Sequence, residues 1–167
     1  RWARFGDVVT FKSELVRPEQ YPEFDQVAPD SIEKGTARLL FRRTVEESGV
    51  RGPNHRFHRG QILYSKIRPS LSKAIIAPFD GLCSADMYPI QPILVEPRYL
   101  LQYILSEPFL GQVRVAENRV KMPKLNMPTM SNFLVALPPL AEPKRIVEKV
   151  DELTALCYLL KDSLNQA

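Results

Sequence analysis

The sequence is poor in the residues that cross-link chains or hold metals: among 167 residues there are two cysteines and two histidines. Two cysteines cannot build the disulfide framework of a small secreted domain. Cys83 lies in an apolar stretch and Cys157 in a helical pattern, so both read as small core residues in a reducing compartment. His55 and His58 have neither a cysteine pair nor an HExxH context beside them, so no metal site is expected. The seven glycines form no P-loop and no GxGxxG after a strand. A G-x-S-x-G elbow is missing, which leaves a serine hydrolase without support. An adenine methyltransferase would need a cofactor-binding glycine loop and an Asn/Asp-Pro-Pro-aromatic segment, and neither occurs. No cofactor is therefore expected. No apolar run approaches the roughly 18 residues that span a bilayer, and no signal-peptide pattern is present, so the reading is cytoplasmic. The first residue is Arg1, which suggests a fragment of a longer protein or a lost short start.

What is abundant is positive charge, unevenly placed. The net charge is +4. From Leu140 onward four basic residues (Lys144, Arg145, Lys149, Lys161) face five acidic ones (Glu142, Glu148, Asp151, Glu152, Asp162), a net of −1, so the preceding part carries +5. Within it, the 36 residues Arg38 to Lys73 hold nine basic residues against Glu46 and Glu47, a net of +7. A second group is Arg114, Arg119, Lys121 and Lys124 against Glu117. One such cluster is an ordinary solvated face. Two in one small body point to nucleic acid.

The pattern along the chain predicts a mixed α+β fold. Asp7 to Phe11 reads as a short strand, and prolines at 18, 22 and 29 make residues 16–30 mostly loop and extended chain. Gly52-Pro53-Asn54 marks a turn, and strands are expected over Gln61–Tyr64, Lys73–Ala77, Leu82–Ser84, Met87–Ile90 and Phe133–Leu137. Helices are expected over Tyr99–Leu105 and from Pro108 to about Val115. Regular βαβ alternation and internal repeats are absent. A strand-rich recognition body, residues 1–137, is then followed by a separate helical unit, residues 138–167.

That terminal unit begins behind Pro138-Pro139 and contains no glycine. Ile146, Val150, Leu153, Cys157, Leu160 and Leu164 recur at intervals of 4, 3, 4, 3 and 4, the a/d seam of a coiled coil. A seam this narrow is built to meet another helix.

Several segments together resemble the target recognition domains of type I restriction-modification specificity subunits. They are Gly60-Gln61-Ile62-Leu63-Tyr64-Ser65-Lys66-Ile67-Arg68-Pro69 with Lys73, Cys83-Ser84-Ala85-Asp86-Met87-Tyr88, Lys121-Met122-Pro123-Lys124-Leu125-Asn126, and Leu137-Pro138-Pro139-Leu140-Ala141-Glu142 with Lys144-Arg145-Ile146-Val147. The resemblance implies a non-catalytic DNA-recognition subunit with two recognition domains and two antiparallel helices that separate two half-sites. It implies recruitment of methyltransferase and restriction subunits as partners. This chain, with one domain and one helix, corresponds to half of such a subunit, pairing with a second half or with itself. Pro143 and Gln61 depart from the residues common in the family, glutamine and aspartate.

On a strand, Lys66 and Arg68 would point to the same side, and with Lys73 they are expected to face phosphates. The alternative for Arg68 is an internal pair with Asp86. Lys121 and Lys124 flank a loop suited to gripping a DNA backbone, or are simply exposed. Base reading calls for Arg or Lys on guanine and Asn or Gln on adenine. Candidates are Arg51, Asn54, Arg56 and Arg59 in a turn-rich loop, and Asn118 or Arg119. Tyr64 and Tyr88 read as core. Two rivals stand beside DNA recognition: a metal-dependent nuclease built from Asp86, Glu96 and a lysine, and a protein-interaction module whose basic surface is incidental.

Overall fold

The computed structural model describes residues 1–117, 124–139 and 141–166. The chain opens with β1 (Trp2–Arg4), a single helical turn α1 (Phe5–Val8) and β2 (Val9–Phe11). Two short strands follow, β3 (Leu15–Val16) and β4 (Asp25–Val27), then the turn α2 (Val45–Ser48). The strand-rich middle comprises β5 (Asn54–Phe57), β6 (Ile62–Ser65), β7 (Ala74–Ile76), β8 (Gly81–Ser84) and β9 (Met87–Pro92). After it come α3 (Pro97–Leu105), α4 (Glu107–Glu117), α5 (Met127–Ser131), β10 (Leu134–Ala136) and the 25-residue α6 (Glu142–Gln166).

Alternation along β6 explains the layering. Ile62 and Tyr64 enter one apolar cluster and Leu63 enters another, so this strand is buried on both faces. β6 lies inside a four-stranded antiparallel sheet of order β2-β9-β6-β7. On one side α3 and α4 cover it through Leu100, Ile104, Phe109 and Val113. On the other, Leu63, Ile75 and Met87 meet Val27, Phe57 and Cys83 from a second sheet of order β3-β5-β8-β4, in which β4 runs parallel to β8. The body is thus three layers: helices, sheet, sheet. Phe109, wholly buried, lies 5.3 to 6.3 Å, centroid to centroid, from the rings of Phe5, Tyr64, Tyr103 and Phe133.

The helix starts follow local chemistry. Glu96 caps α3 by accepting from the Tyr99 N–H at 2.6 Å, with Pro97 in the first turn. Asn126 caps α5 in the same way through Thr129 at 2.8 Å. The hydroxyls of Tyr99 and Tyr103 donate to the Ala136 and Leu134 carbonyls, tying α3 to the β1–β10 ribbon.

Two expectations need correction. The segment 7–11 is a strand only from Val9, because Phe5 and Val8 both drop into the core and wind the chain into α1. Residues 16–30, read as mostly loop and extended chain, include the three-residue β4, whose register against β8 comes from residues about 56 positions away. Cys83 is buried as expected, but Cys157 is exposed, on a stretch of α6 where every described residue is exposed.

α6 has two regimes. Its first three turns lie against the body: Val147 is buried in the larger cluster, Ile146 is half-buried beside it, and Asp151 pairs with Arg98 of α3. From Asp151 to Asn165 every described residue is exposed, with Leu153 at 49% and Leu164 at 78%. At about 100° per residue, Val147 and Asp151 lie some 100–140° round the helix from the seam. Docking to the body therefore leaves the outer seam open.

Gly81 tests the packing of the second sheet. A Cβ there would sit 2.5 Å from the Asp25 carbonyl oxygen and 2.8 Å from the Phe57 ring. Gly81→Ala is expected to lower unfolding stability by about 1–3 kcal/mol, read by urea denaturation. An unchanged midpoint would contradict this close approach.

Candidate nucleic-acid interface

The register of the second sheet defines two ends. β5 begins at Asn54 opposite Ser84 and finishes at Phe57 opposite Gly81. Near the Ser84 end lie Arg51, Asp86, Lys66 and Lys124. Near the Gly81 end lie Arg59, Asp80, Phe79 and Arg42, with the Arg59 N–H donating to Asp80 at 2.7 Å and the Arg42 guanidinium 4.3 Å over the Phe79 ring. The structure therefore separates Arg51 and Arg59, which sequence proximity grouped together.

At the Ser84 end the chain is firmly held. The Lys66 N–H donates to the Asp86 carbonyl at 3.0 Å, and the Leu125 N–H donates to the Lys66 carbonyl at 2.8 Å. Ile67 bridges Lys124, and the Tyr88 hydroxyl donates to the Leu125 carbonyl at 3.0 Å. The Lys66 ammonium stands 5.1 Å from the Tyr88 ring centre. Asp86 accepts from Lys124 at 3.1 Å, so the pair weighed for Arg68 is made by Lys124 instead.

The expected alternation of Lys66 and Arg68 on a strand fails. β6 ends at Ser65, whose hydroxyl donates to the Ile67 carbonyl at 3.0 Å. Arg68 adopts a left-handed backbone (φ 45°), as does Ser72 (φ 48°), and between them Pro69–Leu71 form a 3-10 turn. Left-handed geometry is costly for residues with a Cβ and persists where surroundings fix it. Here the Ser70 N–H donates to Glu117, the Ser72 carbonyl accepts from the Gly35 N–H, and Pro69 is buried. The exposed Arg68 side chain has no acidic partner among the described residues, because Glu117 and Asp86 are engaged elsewhere.

Other candidates are occupied internally. The Lys73 ammonium donates to the Pro29 carbonyl at 2.6 Å. Asn54 is 1% exposed, donating to the Gly52 carbonyl and accepting from the Gln26 amide, so it holds the strand entrance and offers no edge to a base. Arg56 is half-buried, 3.9 Å from Glu14 and 5.8 Å from the Tyr21 ring centre. Arg119, Lys121 and Asn118 lie outside the described residues.

The basic window also changes character. Arg38, Arg42, Arg43 and Arg56 pair with Glu33, Asp25, Asp30 and Glu14, all from outside the window. The +7 read from the sequence is thereby largely cancelled in space. Arg51, Arg59, Lys66, Arg68 and Lys73 remain without an ion pair among the described residues, Lys73 being held by the Pro29 carbonyl, and Arg51, Lys66 and Arg68 lie toward the Ser84 end. Sequence counting missed this cancellation because the acids lie upstream of the window.

The nuclease rival loses its geometry. Asp86 precedes β9 and is bound to Lys124, whereas Glu96 follows β9 and caps α3. The six residues of β9, about 17–20 Å, separate them. Among the described residues no group of three or more His, Cys, Asp or Glu is placed to hold a metal ion, and no described helix is long and apolar enough to cross a membrane.

A body of two stacked sheets carrying a projecting helix is the geometry against which known proteins can be compared. The family model described as type I restriction modification DNA specificity domain matches residues 10–167. The chain belongs to that family. The specificity domain is 40% identical over 166 residues to the type I restriction enzyme EcoDI specificity subunit of Escherichia coli. That match covers 99% of this chain and 37% of the relative, so the domain spans little more than a third of that protein's length. Two solved structures share its fold. The HsdS subunit from Thermoanaerobacter tengcongensis is 24% identical with a TM-score of 0.80, over 96% of this chain and 43% of that one. A chain from a structure on complex assembly and conformational transition of the type I R-M system, also 24% identical, gives 0.81 over 97% and 44%.

His55 makes the specificity domain's stability sensitive to pH. Burial, together with the positive charge of Lys66, lowers its pKa, and a hydrogen bond involving the Ala85 backbone only partly opposes this. The unfolded chain takes up a proton near the ordinary value of about 6.5, whereas the folded chain resists it. Stability is thus fully present above that pH and declines as pH falls through it. Denaturation midpoints between pH 7.5 and 5.5 are expected to drop less in His55→Gln than in the unaltered chain.

Asp86 is the acid nearest the uncompensated cations. Asp86→Asn frees Lys124 and removes one negative charge. The variant is expected to bind duplex DNA more tightly, with the slope of log affinity against log salt steeper by about one. Weaker binding by a correctly folded variant would show that Asp86 organises the surface.

Proposed function

We propose that this chain recognises DNA as half of a type I specificity subunit, with residues 1–137 as the target-reading body and 138–167 as its spacer unit. It directs methyltransferase and restriction subunits to a split target in the cytoplasm and supplies recognition, leaving the chemistry to those partners. The observation that carries this reading is the pairing of family membership with the cations at the Ser84 end, where Lys66 and Arg68 sit on a rigid turn without acidic partners. Arg51 and Lys124 extend that surface, with Arg119 and Lys121 adjacent to it in sequence. Arg59 lies past the other end of β5, beside Asp80, and Arg56 beside Glu14, so neither belongs to this surface. Lys73 supports the surface through Pro29.

The helix supports a partner as well. Leu156 and Leu159, at 52% and 66% exposure, lie roughly 80° and 140° from the seam centre, so the apolar face is wider than one coiled-coil contact requires. A second recognition half along the seam and a methyltransferase helix alongside would together cover it.

Fluorescence anisotropy with duplex DNA over a range of salt concentrations tests the reading. Contact with about four to six phosphates should give a slope of about −4 to −5. Lys66→Ala with Arg68→Ala should weaken all duplexes alike and flatten the slope by about 2. A folded double variant with unchanged binding would remove this surface from the interface, and a slope near zero in the unaltered chain would refute DNA recognition.

A further inference from the structure

We propose that the domain reads base edges in a cleft between the 3-10 turn Pro18–Gln20 and the loop at Arg51 and Pro53, with Arg17 and Arg51 for guanine, Glu19 for the cytosine paired with it and Gln20 for adenine. The inference rests on the DNA-recognition reading and names the residues that make it selective. Lys66 and Arg68 hold the backbone whatever the sequence.

Register brings the cleft to the cationic end of the second sheet. β3 runs antiparallel to β5 with Val16 opposite Asn54, and Asn54 stands opposite Ser84. Arg17 therefore leaves β3 at the end where Pro53 enters β5 and Ser84 leaves β8. Neighbouring strands lie about 4.8 Å apart, so the strand that delivers Arg17 is about 10 Å from the one that leads to Asp86. The Asp86 carbonyl in turn accepts from the Lys66 N–H. In a major groove about 12 Å wide, one part of such an edge can hold phosphates while its neighbour meets the bases. Arg17 and Gln20 escape a count of the basic window because they lie upstream of it, in a proline-rich stretch.

Both walls are fixed from inside the fold. Pro18 is buried, and the turn is closed by the Gln20 N–H donating to the Arg17 carbonyl at 3.2 Å and the Tyr21 N–H donating to the Pro18 carbonyl at 2.9 Å. On the other wall the buried Asn54 amide donates to the Gly52 carbonyl at 3.0 Å and is itself held by Gln26. Arg17, Glu19, Gln20 and Arg51 stand exposed on these walls. The cleft, about 490 Å³, falls within the roughly 300–1,000 Å³ of sites that enclose small ligands. Rigid support beneath free side-chain tips is what direct readout requires.

Neither arginine forms an ion pair among the described residues, although Glu19 lines the same cleft. The guanidinium forks are free to meet O6 and N7 of guanine, and the Gln20 amide is free to meet N6 and N7 of adenine. Glu19 distinguishes bases from phosphates. A carboxylate repels the DNA backbone, whereas the N4 amine of cytosine donates to it. A cleft that served only to grip phosphate would be weakened by an acid beside its arginines.

Selection of bound duplexes from a random pool, followed by fluorescence anisotropy on the selected duplex and on an unrelated one, tests the cleft. Gln20→Ala changes no charge, and Arg17→Lys and Arg51→Lys keep theirs while losing the bidentate fork, so the salt slope is expected to stay that of the unaltered chain. Each variant is expected to lose about 5- to 150-fold on the selected duplex, to change by less than about twofold on the unrelated one, and to select a pool relaxed at one base pair. Each substituted side chain is exposed, so the fold is expected to persist, which circular dichroism checks. Variants that bind the selected duplex as the unaltered chain does, or that weaken both duplexes alike, would overturn base reading here. An unaltered chain that binds every duplex alike with a steep salt slope would overturn the cleft and leave DNA binding standing. One that binds no duplex would overturn the recognition reading itself.

Discussion

The burial of β6 on both faces holds the rest of the body in place. A strand whose successive side chains enter two different clusters cannot shift by one residue without exchanging both sets at once. Ile62 and Tyr64 fix the helical layer, Leu63 fixes the second sheet, and the end of the strand at Ser65 delivers Lys66 and the turn at Arg68 to one defined place. The position of the cationic surface is thus a consequence of core packing, although its residues are polar.

Much of this was legible because it is local. The apolar run at Ile62–Tyr64, the proline-led starts of the helices and the seam of the terminal helix each follow from a few consecutive residues. What stayed hidden depends on distant partners. α1 forms because Phe5 and Val8 share a core with residues more than a hundred positions later, and Gly6 leaves no room for a Cβ against Ser131. Asn54 looks like an exposed turn residue until Gln26 is placed against it. Lys66 and Arg68 look like alternate strand positions because nothing in a period-two pattern announces a left-handed residue that is not glycine.

The helix combines two roles that a single hydrophobic stripe would not allow. Val147 and Asp151 fasten its base to the body, while the seam from Leu153 onward stays exposed. The surface ion pair between Asp151 and Arg98 adds little stability by itself. The packing of Val147 in the larger cluster is what holds the base of the helix. The docking stripe and the exposed seam thus lie on different sides of α6 from Leu153 onward.

The cancellation of Arg38, Arg42, Arg43 and Arg56 by Glu33, Asp25, Asp30 and Glu14 has a kinetic consequence. A uniformly positive body would be drawn to an anionic rod in any orientation and would then have to search for the productive one. Under the proposed DNA-recognition role, cations left without acidic partners toward one end would orient the body as well as attract it. On that reading, encounters would begin near the competent orientation and the productive association rate would rise without an added contact in the final complex.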